Sequence, residues 1–128
     1  KSMKAALDLL SDAAKSRKIA ILGDILEMGD LGPKAHFEIG AYAYKKADVL
    51  VAIGPQGIHF KEGWDSCGSL APLSSSWFAD KEEAKDFIKG LIKQGDTCLL
   101  KASRGMEFES LADFLKDLNN CGIGDENN

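Results

Sequence analysis

Lys101-Ala102-Ser103-Arg104-Gly105 is the segment of this chain best equipped for chemistry. Two cations and a hydroxyl lie between an apolar run, Thr97-Cys98-Leu99-Leu100, and an amphipathic stretch that opens at Phe108. A helix start presents unpaired N–H groups and partial positive charge, and a guanidinium grips a carboxylate or phosphate through two parallel bonds. Together they read as an anion site. A plainer reading stands beside it: Ser103 caps the helix, and Arg104 pairs with Glu107 or Glu109 on the surface.

A second segment, Gly23-Asp24-Ile25-Leu26-Glu27-Met28-Gly29, carries two carboxylates three residues apart just beyond another apolar run. Such a pair suits a cation, a ribose hydroxyl or a substrate amine. The alternative is a loop in which Asp24 is a cap and Glu27 is solvated. His36 falls one turn into the following helix, where a hydrogen-bonded packing role is favoured over that of a base. His59 is similarly placed after the second strand, and Trp64 and Trp77 read as core or edge packing.

Several chemistries are excluded. No Gly-x-Gly-x-x-Gly follows a strand, and Gly-x-x-x-x-Gly-Lys-Ser/Thr is missing, so nothing here cradles a nucleoside triphosphate alone. Gly-x-Ser-x-Gly and His-Glu-x-x-His are also missing. Cys67, Cys98 and Cys121 are widely spaced with no Cys-x-x-Cys, and only two histidines accompany them, so no metal site is expected. Three free thiols in a reducing compartment are the expectation.

The elements that position these residues alternate along the chain. Met3, Ala6, Leu7, Leu10, Ala13 and Ala14 predict a helix over 2–15. Residues 18–23 form a short apolar run with the form of a strand buried on both faces. Gly32 and Pro33 read as the cap and first position of a helix carrying Ala35, His36, Ile39, Gly40 and Ala43 to Lys45-Lys46. Residues 49–53 are the second buried strand, closed by Gly54-Pro55-Gln56-Gly57. A short helix over 58–64, a loop over 66–76 and a short strand over 76–79 follow. Asp80 with Glu83 has the form of a capping box for a helix lined by Ala84, Phe87, Ile88, Leu91 and Ile92 and ended by Gly95-Asp96. The fourth strand spans 97–100, 101–105 is a turn, and Phe108, Leu111, Ala112, Leu115 and Leu118 mark the last helix.

This order predicts an α/β fold with a mostly parallel sheet flanked by helices. Ligands of such sheets sit beyond the carboxyl ends of the strands, which puts 24–36, 54–59 and 101–106 on the candidate face. A receiver domain shares the acidic pair and the lysine, but it needs an aspartate ending the third strand. Asp80 reads as a helix cap instead, so the receiver is rejected.

The 128 residues, 45% of them apolar, suffice for one domain with its own core, expected over 1–118, with a polar tail over 119–128. A charged fraction of 28% and a net charge of −4 exclude wholesale disorder and give no electrostatic footprint for nucleic acid. No apolar run approaches the roughly 20 residues of a membrane span, and no leader pattern is present, so a cytoplasmic monomer is expected. The helical pattern begins at once, as if the chain were cut from something longer.

Ser2-Met3-Lys4-Ala5-Ala6-Leu7, then Ile21-Leu22-Gly23-Asp24-Ile25-Leu26-Glu27-Met28-Gly29, then His36 and Gly40, then Lys101-Ala102-Ser103-Arg104-Gly105-Met106 resemble, in this order, the C-terminal domain of Mur ligases. The resemblance runs from residue 2 to about 118. It implies a Rossmann-like domain, without the dinucleotide fingerprint, of a three-domain peptide ligase of cell-wall peptidoglycan synthesis. The branch it most resembles joins D-alanyl-D-alanine to a UDP-N-acetylmuramoyl tripeptide by way of an acyl phosphate. ATP and magnesium would be bound mainly by a central domain not in this chain, and no catalytic residue would lie in this fragment alone, which would be inactive in isolation. By the same resemblance Ser103 and Arg104 would lie near the dipeptide carboxylate, with Lys101 supporting the positive field. Asp24 and Glu27 would face the interdomain cleft, with His36 behind them. The family usually has glycine where Ala102 stands, which bears on how closely a backbone can approach there. The alternatives are a sister ligase adding a different amino acid and a stand-alone α/β module that binds a small anion.

Overall fold

The computed structural model describes residues 2–13, 16–68 and 74–118, apart from the side chains of Arg104, Asp117 and Leu118. Its elements are α1 (Met3–Ala13), β1 (Lys18–Gly23), α2 (Gly32–Tyr44), β2 (Val49–Ile53), α3 (Gly57–Asp65), β3 (Ser75–Phe78), α4 (Lys81–Leu91), β4 (Thr97–Lys101) and α5 (Glu109–Leu118). Single 3-10 turns occupy Gly29–Leu31 and Arg104–Met106. The sheet is parallel throughout, in the order β3-β2-β1-β4.

Apolar runs without alternation become β1, β2 and β4, strands with both faces covered. Ile19 and Ile21 of β1, Val49, Val51 and Ile53 of β2, and Cys98 and Leu100 of β4 pack under α4 and α5. Ala20 and Leu22, Leu50 and Ala52, and Leu99 point the other way, under α1, α2 and α3. Trp64 sits in that second layer, nearly without exposure, with its ring edge-on to Tyr44.

Two glycines let α2 and α3 cross at backbone contact. A Cβ at Gly40 would lie 1.9 Å from the Phe60 carbonyl oxygen, and one at Gly63 would lie 1.9 Å from that of Phe37. Neither neighbour is a side chain that can swing away. At the opposite end of the sheet from the candidate face, Arg17 ties the starts of β1 and β4 together. Its Nε and Nη2 donate to the two Asp96 carboxylate oxygens at 3.1 and 2.7 Å, and Nη2 also donates to the Leu91 carbonyl.

Several boundaries differ from the sequence expectation, each for a local reason. Ser2 caps α1 through its Oγ, which accepts the Ala5 N–H, and the expected extension over 14–15 lies outside the described residues. α2 has Leu31 at its cap position rather than Gly32, because the preceding 3-10 turn runs straight into it. β3 begins one residue early, at Ser75, where the Ser75 hydroxyl donates to Asp65. Asp80 accepts the Glu83 N–H as expected, but Glu83 reaches back to the Ala79 N–H rather than to that of Asp80. α4 stops at Leu91, since Asp96 turns inward to Arg17 and accepts the Lys93 N–H, drawing 93–96 into a turn. β4 runs on through Lys101, which is therefore a strand residue and buried, not part of an exposed turn. Cys67 and Cys98 carry no disulfide, and Cys121 and the tail lie outside the described residues.

Gly40→Ala is expected to destabilise the domain by about 2 kcal/mol or more, because the added methyl meets a carbonyl held in a helix. Urea unfolding checks this, and an unchanged midpoint would show that the two helices can separate at little cost.

Candidate functional site

Strand order alone creates a crevice. From β1 the chain winds to β2 and β3 on one side, then returns to place β4 on the other side of β1. Loops leaving β1 and β4 therefore diverge at their carboxyl ends, where open α/β sheets bind ligands. The 24–28 loop and the 102–107 segment meet at that point.

Ser103 joins them. Its N–H donates to the Asp24 carbonyl at 3.1 Å, and its Oγ accepts the Leu26 N–H at 2.8 Å. Ser103 thus does not cap α5, which starts only at Glu109. Between them lie the 3-10 turn and Glu107, whose φ of 54° reverses the chain. Lys81, at the start of α4, donates to the carbonyls of Met106 and Glu107 and holds this segment from its other flank. The Ala102 methyl finds its room opposite a residue without a side chain. A Cβ at Gly23 would lie 2.8 Å from the Ala102 Cβ and 2.5 Å from the Phe108 ring.

Asp24 is 3% exposed, and both its carboxylate oxygens face the Gln56 N–H, at 3.0 and 3.1 Å. Burial pushes its pKa up, opposed by hydrogen bonds from the Gln56 and Gly57 amides and by the nearness of His36 and His59. Gly54 makes the approach possible: its φ is 114°, and a Cβ there would lie 2.5 Å from the Asp24 Oδ1. Trp77 holds the same loop from β3, its indole N–H donating to the Gly54 carbonyl at 2.7 Å.

His36 is fully buried and uses both ring nitrogens. Nδ1 lies 2.6 Å from the Gly32 carbonyl, which can only accept, so Nδ1 carries the proton. Nε2 is then the acceptor for the Ile25 N–H at 3.0 Å. Burial lowers its pKa, against the opposing pull of the Gly32 carbonyl and the Asp24 carboxylate. The ring orients the loop after β1 and is not open to a substrate proton.

Glu27 is exposed and left-handed, with φ of 64°, a conformation that costs a non-glycine residue about 1 kcal/mol or more. It projects from a loop pinned at Asp24, Ile25 and Leu26. A cavity of about 370 Å³ opens here, lined by residues 24–29, Gly32, Pro55 and Gln56. Of the residues expected at the site, Asp24, Glu27 and His36 gather around this loop, and Ser103 is bonded to it. Lys101 is buried at the end of β4, and the Arg104 side chain lies outside the described residues. Gln56 falls in the 54–59 segment expected on the candidate face but has no role in the sequence reading, and Lys81 has no place in it. The only signal for Gln56 was a carboxamide just past a strand-closing glycine, and Lys81 had none, since its bonds reach across the fold.

These residues do not by themselves fit ATP with magnesium. No phosphate loop exists, and among the described residues no group of three or more His, Cys, Asp or Glu side chains could hold a metal ion.

Residues 1–104 match the family model described as Mur ligase, glutamate ligase domain. The chain belongs to that family. Among its curated relatives is the UDP-N-acetylmuramoyl-tripeptide–D-alanyl-D-alanine ligase of Bacillus subtilis, 34% identical over 119 residues, which covers 91% of this chain and 25% of the relative. The ligase of the same name from Rickettsia prowazekii is 30% identical over 115 residues, covering 88% and 24% respectively. A crystal structure of MurF from Acinetobacter baumannii superposes with a TM-score of 0.78 and 27% identity, over 90% of this chain and 25% of that one. This Mur ligase domain thus spans about a quarter of the length of the relatives it matches. Among its described residues no helix is long and apolar enough to cross a membrane.

His36 makes the Mur ligase domain acid-sensitive. Its folded pKa lies below the ordinary value of 6.5, so its contribution to stability is complete above that value and is lost as pH falls through the folded pKa. Asp24 acts with the opposite sign, because a raised carboxyl pKa favours the folded state at low pH. Titration of the His36 ring by NMR is expected to give a value under 6.5. A value at or above it would show that Nε2 is not held as an acceptor.

Proposed function

We propose that this chain is the closing, amino-substrate-binding domain of an ATP-dependent ligase that joins D-alanyl-D-alanine to a UDP-N-acetylmuramoyl tripeptide in peptidoglycan synthesis. Residues 1–118 are its folded domain and 119–128 its tail, and the whole enzyme works in the cytoplasm. The observation that carries the reading is the pair of hydrogen bonds between Ser103 and the loop after β1, which joins the two family segments into one wall at the switch point. The shared name of the relatives supports the choice of amino substrate.

In this reading the turn bearing Ser103 and Arg104 receives the dipeptide carboxylate, and the buried Lys101 contributes positive field from the strand end. Asp24 and Glu27 border the cleft that closes against the preceding domains, and His36 keeps their loop in place. The domain's own share of the reaction is to seat the dipeptide and, on closing, to exclude water from an acyl phosphate that would otherwise hydrolyse. ATP and magnesium belong to the rest of the enzyme.

The isolated chain is expected to show no ATP-dependent ligation. Fused behind the first two domains of the Bacillus subtilis ligase, in place of that enzyme's own last quarter, it is expected to restore ligation of D-alanyl-D-alanine. Turnover of lysine or diaminopimelate in preference to the dipeptide would assign it to a sister ligase, and ligation by the chain alone would overturn the domain reading. In the active fusion, Arg104→Ala is expected to raise the KM for dipeptide about tenfold or more, as loss of a charge-assisted bond should.

A further inference from the structure

We propose that the Gln56 carboxamide seats the amino group of the incoming dipeptide, its Oε1 accepting an N–H in the cavity between the loops that follow β1 and β2. This rests on the ligase reading above and adds to it the residue that receives the nucleophile's end of the substrate.

Gln56 Oε1 is buried and, among the described residues, is the one buried side-chain nitrogen or oxygen without a hydrogen-bond partner. A buried carbonyl left in that state is unfavourable until something donates to it. Gln56 belongs to the cavity wall, and a Cβ on Gly32, another lining residue, would lie 3.4 Å from its buried Oε1. Its backbone is fixed, because the Gln56 N–H is shared between both oxygens of Asp24 and the residue stands at the cap of α3. The carboxamide is therefore presented from a rigid anchor.

The surroundings select the donor. Asp24 and Glu27 line the same cavity, which favours a ligand with a positively charged end. Both oxygens of Asp24 already accept a backbone N–H, whereas the Gln56 oxygen is uncommitted. Ile25 and Met28 add apolar wall suited to a small methyl-bearing body. A neutral carboxamide also accepts from an amine in either protonation state.

The test uses the 128-residue chain and the fusion enzyme together. D-alanyl-D-alanine titrated into the labelled chain is expected to shift the Gln56 side-chain resonances and the amides of residues 25–32. Gln56→Leu is expected to weaken dipeptide binding about tenfold and to raise the unfolding midpoint of the ligand-free chain, since an unpaired acceptor has been removed. Gln56→Glu retains an acceptor oxygen and is expected to keep binding. In the fusion it should move the pH profile of kcat/KM for dipeptide to higher pH, as an added carboxylate raises the amine's pKa. Wild-type affinity in Gln56→Leu would overturn the assignment and leave the ligase reading standing. A lowered midpoint in that variant would also overturn it, by showing that Oε1 is already paired. No dipeptide binding by the wild-type chain, together with an inactive fusion, would bring down the ligase reading itself.

Discussion

A buried carboxylate organises the candidate ligand face of this domain. Asp24 leaves β1 at the switch point and turns its side chain toward the loop after β2, away from solvent. Burying a charge is unfavourable unless donors surround it, and the nearest available donors are the Gln56 and Gly57 amides. Meeting them requires the loop to approach within hydrogen-bond distance, which only a residue without a Cβ permits at Gly54. The positive φ at Gly54, the start of α3 and the Trp77 bond to the Gly54 carbonyl all follow from that approach.

The same region is secured a second time through the backbone. Asp24 offers its carbonyl to Ser103, Ile25 gives its N–H to His36, and Leu26 gives its N–H to Ser103. Three successive residues are thus held by two elements from opposite sides of β1, and Lys81 holds the Ser103 segment from beyond. Rigid loops of this kind hold side chains at defined positions. Glu27 and Gln56 are the side chains that this scaffold presents rather than consumes.

Much of the scaffold was legible in the chain. The three apolar runs that become β1, β2 and β4 could be read as strands because burial on both faces removes the alternation that a half-exposed strand such as β3 shows. Asp24 and Ser103 were legible as site candidates because each follows closely on a strand run, at the end of the sheet where ligands bind. What stayed open or misplaced was local. A hydroxyl before an amphipathic stretch has the form of a helix cap, so that role stood open for Ser103 beside the anion site. Lys101 was assigned to the turn because lysine rarely ends a buried strand.

Sequence by itself determined the alternation of strands and helices, the family and the segments that gather at the site. Each of these depends on local periodicity or on ordered motifs, which need no knowledge of neighbours. Tertiary structure decided the roles. Strand order put β4 beside β1 and so brought Ser103 to Leu26, residues that are 77 apart in the chain. It also placed Gly23 opposite Ala102, which gives the extra methyl its room. It made His36 a buried orienting group and left the Gln56 oxygen unpaired, because pairing depends on which atoms meet in space and a pattern along the chain does not record that.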